Sequence, residues 1–219
     1  MKYTITKILN LGAVIYDNWA EHNLSEIDKR LIELANLNGN EKVLDIGCGP
    51  GNLDLMANES LDKGSIYPVR DQRSCRVYGI DIAPRMIAIA KKRAKEKGYE
   101  INYKLGSSTK LPYESEEFNT VFTCLLYHHL SYKEKIKTLK EIYRVLKQNG
   151  KYICFELGEF PKDGFHKIFL KLFTDDSGIM HGLYPTKLIQ ENRFYVDKEI
   201  KGPSLLKHHY TSYRVLIKK

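Results

Sequence analysis

A short apolar run, Val43-Leu44-Asp45-Ile46, carries one acid and runs straight into Gly47, Gly49 and Gly51, with Cys48 and Pro50 between them. Glycines at that spacing let a chain turn tightly and let a ligand come up against the backbone. Leu53, Leu55, Met56 and Ala57 then suit a helix, whose first amides point at whatever sits in the turn. Strand, glycine loop and helix in that order form the nucleotide site of open α/β sheets. A turn with no ligand is the other reading of the loop taken alone.

The acid bears on which nucleotide is bound. A dinucleotide brings a pyrophosphate, which Asp45 at the mouth of the loop would repel. S-adenosylmethionine brings a sulfonium and an ammonium and no phosphate, so a nearby carboxylate is an asset. The loop also reads Gly-x-Gly-x-Gly and departs from the Gly-x-Gly-x-x-Gly of dinucleotide sites. A second short strand, Arg76-Val77-Tyr78-Gly79-Ile80-Asp81-Ile82, again ends on an acid. A carboxylate at the tip of the strand beside the loop can accept both hydroxyls of a ribose. The alternative for Asp81 is a cap on the helix that starts at Pro84, although Ala83 stands at the more natural cap position.

A third group of reactive side chains, His128 and His129, directly follows the apolar segment Phe118–Leu126. Histidine is the side chain best matched to proton transfer near neutral pH. His128 is the candidate base, facing an acceptor that must lose a proton, with His129 packed behind it. Shaping of the turn alone is the competing account of both rings. Glu156 and Glu159, past the next strand, are weaker candidates for holding a cationic acceptor and read more naturally as solvated loop acids.

Taken in order, these segments resemble the Rossmann-like S-adenosylmethionine-dependent methyltransferases, especially the small-molecule group around the ubiquinone/menaquinone methyltransferases. The likeness runs from about Tyr16 to Leu157. Gly106-Ser107-Ser108-Thr109-Lys110-Leu111-Pro112-Tyr113 resembles the family's segment against adenine, and Phe118–Leu130 its fourth strand and the turn over the methyl group. Leu139–Lys151 resembles the helix and turn that feed strand 5. The resemblance implies S-adenosyl-L-methionine as cofactor, S-adenosyl-L-homocysteine as product and no metal. It implies a cofactor-binding set of Tyr16, Asp45, Gly47, Gly49, Gly51, Asp81, Ile82, Met86, Ser107, Ser108, Thr109 and Cys124, with the pair Tyr16-Asp17 in a segment that folds over the cofactor. Ser107 stands where the family often has Asp, Asn119 where an acid is usual, and the stretch Glu59–Ser74 is longer and more polar than the family pattern.

These sites need elements to hold them. The apolar side Leu24, Ile27, Leu31, Ile32, Leu34 and Ala35 predicts an amphipathic helix ahead of strand 1 (about 42–47). Helix A, strand 2 (77–81), helix B (84–97, stopped by Gly98), strand 3 (101–105) and strand 4 (119–125) follow. Helix D opens on the capping box Ser131-x-x-Glu134 and closes at Asn149-Gly150, before strand 5 from Tyr152 to Leu157. Helical stretches near Gly164–Phe173 and Thr186–Asn192 lead to an antiparallel pair at about 194–201 and 208–217. The expected fold is α/β: a Rossmann-like doubly wound, mostly parallel seven-stranded sheet with a C-terminal antiparallel strand pair and an N-terminal helical cap. It reads as one domain over 1–219, with a cap (1–40), a cofactor core (41–157), an acceptor-side insertion (158–193) and a terminal strand pair (194–219).

Composition bounds the rest. The chain has 219 residues, 42% of them hydrophobic, enough for one core, and no apolar run of membrane-spanning length. The start, with Lys2 and Lys7 ahead of a short apolar run, is only faintly like a signal peptide, because Asn10 interrupts it. Cys48, Cys75, Cys124 and Cys154 form no Cys-x-x-Cys pair, which fits a reducing, cytoplasmic setting. A net charge of +8 admits RNA as a partner, but solvated lysine faces on the helices account for most of it. The sequence therefore points to methyl transfer onto a small-molecule acceptor, with a tRNA-modifying methyltransferase and a non-catalytic cofactor-binding protein as alternatives. The acceptor and the oligomeric state are not legible.

Overall fold

A computed structural model describes residues 24–64, 75–157, 189, 191–202 and 211–219. Seven strands form one sheet: β1 Val43–Ile46, β2 Val77–Asp81, β3 Ile101–Leu105, β4 Phe118–Cys124, β5 Leu146–Leu157, β6 Phe194–Lys201 and β7 Thr211–Lys218. Their spatial order is β3-β2-β1-β4-β5-β7-β6. Strands β1 to β5 pair in parallel, and β7 runs antiparallel to both β5 and β6. The chain leaves β1 in one direction toward β2 and β3, and later returns on the other side of β1 as β4. In open α/β sheets the ligand crevice opens at the carboxyl ends of strands at such a reversal.

Helices α1 Ser25–Ala35, α2 Asn52–Gly64, α3 Pro84–Lys97 and α4 Tyr132–Val145 cover the sheet. Side chains alternate across a strand, so β1 sends Val43 to one face and Leu44 and Ile46 to the other. The first face packs α1 and α2 through Ile27, Leu31, Leu53 and Leu61 against Phe122, Ile153 and Phe155. The second packs α4 through Leu139, Ile142 and Val145 against Phe118, Val121 and Tyr152. Phe118, Phe122, Tyr152 and Phe155 are completely buried. Each such side chain contributes roughly 1.5–3 kcal/mol relative to exposure.

The helix boundaries follow local chemistry. Helix α3 starts with Ala83 as N-cap and Pro84 in its first turn, where the missing N–H costs nothing. It ends at Gly98, which takes a left-handed conformation (φ 70°) and donates back to Ala94 and Lys95. Helix α4 opens on the expected Ser131–Glu134 capping box.

Three expectations shift. Helix α4 ends at Val145, four residues before Asn149-Gly150, and Leu146 already pairs with Phe118, so β5 starts earlier than its apolar core suggested. The first part of the long polar stretch, Glu59–Gly64, simply extends α2. The described part of the N-terminal cap, α1, is a layer of the core. The stretch Gly164–Phe173 lies outside the described residues, as does most of Thr186–Asn192.

Candidate active site

The crevice at the reversal is lined by Gly47, Gly49, Ile80, Asp81, Ile82 and Met86 on one side, and by Cys124, Leu125, Leu126, His129, Leu130 and Glu134 on the other, with Gly106–Thr109 between. It encloses about 150 Å³ and stands partly open.

The glycine loop is shaped by backbone angles that side chains resist. Gly47, Gly49 and Gly51 all have positive φ (78°, 53° and 85°). What a side chain would meet differs at each. At Gly51 a Cβ would lie 2.5 Å from the Tyr103 hydroxyl and 3.0 Å from the Ala90 methyl, so this glycine permits close packing of α3 and β3 under the loop. At Gly47 it would lie 3.0 Å from a Leu126 methyl. At Gly49 it would meet nothing within 4 Å, so this glycine bounds open space. Gly51 is therefore a packing residue and does not line the crevice.

Asp81 ties the two strand tips together. One of its carboxylate oxygens accepts the Gly49 amide at 3.0 Å and the other the Ala83 amide at 2.7 Å. Burial raises its pKa, and these backbone donors counter that shift. Asp81 lines the crevice, and a carboxylate has about four acceptor sites, more than its backbone donors use, so hydroxyl donors there would find a partner. The helix-cap reading of Asp81 is half right: it serves the Ala83 amide, but Ala83 itself is the N-cap.

Asp45 departs from expectation. It lies in β1 on the same face as Val43, is 3% exposed and does not line the crevice. Burial holds its pKa well above the ordinary range, followed by the charges of Asp28 and Asp81. An acid so placed is a buried floor under the loop, away from the ligand surface. Tyr16 and Asp17 lie outside the described residues.

Beyond the loop, Ile82 is 42% exposed and Met86 buried, which presents one apolar surface to the crevice. The Ser107 hydroxyl bonds that of Thr109 at 2.9 Å, and the Ser108 hydroxyl bonds Thr138 on α4 at 2.9 Å. These hydroxyls brace the segment; they leave its backbone to face a base. Half-buried Cys124 lines the crevice with its thiol pushed well up by burial and by Asp28, Asp45 and Glu156, so it stays neutral and is not a nucleophile.

The two histidines are reversed relative to the sequence expectation. Tyr127–His129 form a 3₁₀ turn, in which each successive side chain rotates by about 120°. His129 is the ring on the crevice wall, and His128 turns back toward β5, its Nδ1 3.4 Å from Glu156 Oε2. The two rings touch, with centroids 3.8 Å apart and planes tilted by 45°. His129 is exposed at the crevice wall, and desolvation by the surrounding protein, followed by the neighbouring His128 ring, shifts its pKa downward, which favours the neutral ring.

Glu156 is not a solvated loop acid. It sits in β5, 2% exposed, and accepts the Leu126 and Tyr127 amides at 2.5 and 2.7 Å. Glu159 lies outside the described residues. Leu126, Leu130 and Glu134 also escaped the sequence reading as crevice residues: the leucines read as core, and Glu134 as a cap. No group of acids, histidines or cysteines suited to a metal occurs among the described residues.

A family model described as a methyltransferase domain matches residues 43–150. The demethylmenaquinone methyltransferase of Thermus thermophilus is 28% identical over 155 residues, covering 71% of this chain and 64% of that protein. The chain spans 50–64% of the length of this and two further curated relatives. A crystal structure from Pyrococcus horikoshii superposes with a TM-score of 0.66 at 22% identity, over 93% of this chain and 91% of that one. The geranyl diphosphate C-methyltransferase of Streptomyces coelicolor, solved with Mg²⁺, geranyl diphosphate and S-adenosyl-L-homocysteine, gives 0.69 at 13% identity, over 89% and 77%. These two likenesses show the fold. The demethylmenaquinone methyltransferase of Lactococcus lactis is 30% identical over 149 residues, 67% of this chain and 52% of that protein, and with the matched domain it places the chain: it belongs to the class I, Rossmann-like S-adenosylmethionine-dependent methyltransferases, in their ubiquinone/menaquinone methyltransferase-like group.

Proposed function

We propose that this chain catalyses S-adenosylmethionine-dependent methyl transfer to a small-molecule acceptor. The observation that carries the reading is the open space over Gly49, bounded by a carboxylate, Asp81, that is already ordered by two backbone amides. A side chain at Gly49 would fill that cradle, so the residues present fit the cofactor. Gly47 and Gly49 let it approach the backbone, Asp81 accepts its ribose hydroxyls, Ile82 and Met86 flank its base, and the backbone of Ser107–Thr109 meets the base's edge. When bound, S-adenosylmethionine supplies an electrophilic methyl group and leaves as S-adenosyl-L-homocysteine after in-line displacement.

The protein's own work is then to orient the acceptor and exclude water. Cys124, Leu125, Leu126 and Leu130 form an apolar wall on the acceptor side. His129 is placed to take a proton from an acceptor hydroxyl, amine or enol carbon. The four cysteines are free, which supports a reducing, cytoplasmic setting, and no described helix is long and apolar enough to cross a membrane.

The test is incubation with methyl-labelled cofactor and a cell extract, followed by separation of small molecules from RNA. Label in the small-molecule fraction, absent with Gly49→Val, is the expected result. Label in RNA would favour a tRNA-modifying enzyme, and no transfer to either fraction would oppose the reading.

A further inference from the structure

The turn that follows β4 is held from the neighbouring strand, β5. Leu125 adopts φ 53°, a left-handed conformation unusual for leucine that costs roughly 1 kcal/mol or more and persists only where neighbours enforce it. Its amide donates to the Phe155 carbonyl at 2.9 Å. The next two amides, of Leu126 and Tyr127, both donate to Glu156 Oε1. Glu156 Oε2 lies 3.4 Å from His128 Nδ1, a contact that favours a proton on Nδ1 because a carboxylate oxygen accepts. Three consecutive amides and one imidazole are thus anchored to two adjacent residues of β5. Bonds to a carboxylate are the stronger kind, and a buried one cannot be replaced by water without opening the sheet. Five crevice-lining residues, Cys124, Leu125, Leu126, His129 and Leu130, lie on or beside the segment so anchored.

We propose that Glu156 is the positioning residue of the acceptor side: it fixes the Leu125–His129 turn and the tautomer of His128, and so sets where His129 and Leu126 face the transferred group. The inference rests on the methyl-transfer reading for its purpose, but not for its geometry. Glu156 touches neither Gly49 nor Asp81, so the cofactor side forms without it.

The test uses the full chain with Glu156→Ala and Glu156→Gln, ¹⁵N-histidine spectra, amide hydrogen exchange and calorimetry with S-adenosyl-L-homocysteine. In Glu156→Ala the amides of Leu126 and Tyr127 exchange at least about tenfold faster, because each loses its acceptor. The Leu125 amide, bonded to Phe155, stays protected and reports that the sheet is intact. Affinity for S-adenosyl-L-homocysteine changes less than about threefold, under about 0.7 kcal/mol. If Glu156→Ala does not fold, Glu156→Gln decides: its carbonyl still accepts both amides, and its NH₂ group turns His128 Nδ1 from donor into acceptor. The ¹⁵N signature of His128 then switches to the other tautomer. Unchanged exchange in Glu156→Ala, an unchanged His128 tautomer in Glu156→Gln, or a loss of cofactor-product affinity as large as that of Asp81→Ala would each overturn the proposal. A wild-type chain that does not bind S-adenosyl-L-homocysteine would sink the methyl-transfer reading, while exchange and tautomer still decide the role of Glu156.

Discussion

The two walls of the crevice are built in different ways. The cofactor wall is made by two neighbouring strand ends, the glycine loop after β1 and the tip of β2, joined where the Gly49 and Ala83 amides bond the Asp81 carboxylate. The acceptor wall is made by a turn whose shape depends on Glu156, about thirty residues further along the chain. Both walls are closed by contacts 29 to 32 residues apart along the chain, so both need the assembled sheet. They differ in their parts: the first shows its glycines and its strand-end acid in short motifs, whereas the second hangs on one buried carboxylate.

The comparison can be broken most severely at Gly49. Gly49→Val places a branched side chain in the open cradle and forces valine to φ 53°. We expect affinity for S-adenosylmethionine to fall by roughly 1,000-fold or more, about 4 kcal/mol, in calorimetry of folded protein. Retained binding would mean that the cradle is not the cofactor's. On the other wall, His129→Asn is expected to lower turnover by roughly 100-fold if the acceptor must lose a proton. The same variant keeps cofactor affinity within about threefold. A His128→Asn variant that loses more turnover than His129→Asn would reverse the assignment made from the 3₁₀ turn.

Asp81→Ala removes the acceptor for the Gly49 amide together with that for the ribose hydroxyls. A loss of roughly 10- to 100-fold in affinity is expected, the worth of one or two hydrogen bonds to a charged group. Asp81→Asn, which keeps one acceptor oxygen, should fall between.

The smallest expected effect concerns the floor under the cofactor wall. Asp28 on α1 is 4% exposed, and burial raises its carboxyl pKa from 3.8 to about 7. Between those values the folded chain holds a proton that the unfolded chain has released. Stability therefore falls as pH rises through that window, and the loss is complete above about 7. Asp28→Asn should flatten this dependence and raise stability at pH 8 by roughly 1–2 kcal/mol, less than the full linkage because a buried amide also needs partners. Denaturant titrations of both proteins at pH 5 and pH 8 check it. A steeper decline in the variant would contradict the burial argument.

How much was legible follows the same division. Strands β2 and β3, the Pro84 and Gly98 ends of α3, the Ser131–Glu134 box and the terminal strand pair could be read because each depends on residues within a few positions. Gly49 and Asp81 stood out in short motifs at two strand ends, and the sheet brings both to the crevice. Asp45 was misplaced because alternation along a four-residue strand sends it to the face of α1, and only pairing in the sheet fixes which face that is. In the sequence His129 reads as packed behind His128 because the turn after β4, which brings His129 to the crevice wall, is not visible in the residue types, and Glu156 reads as a solvated acid because a carboxylate near a strand end ordinarily meets water. Its partners are the Leu126 and Tyr127 amides in the turn after β4, brought beside it by the pairing of β4 with β5, which local sequence does not encode.

Isothermal calorimetry of the folded wild-type chain with S-adenosyl-L-homocysteine tests the central claim most directly, with Gly49→Val as its control. Saturable one-to-one binding, lost in the variant, is the predicted result. A folded wild-type protein that releases no heat with S-adenosyl-L-homocysteine or S-adenosylmethionine, or a variant that binds as the wild type does, would contradict it.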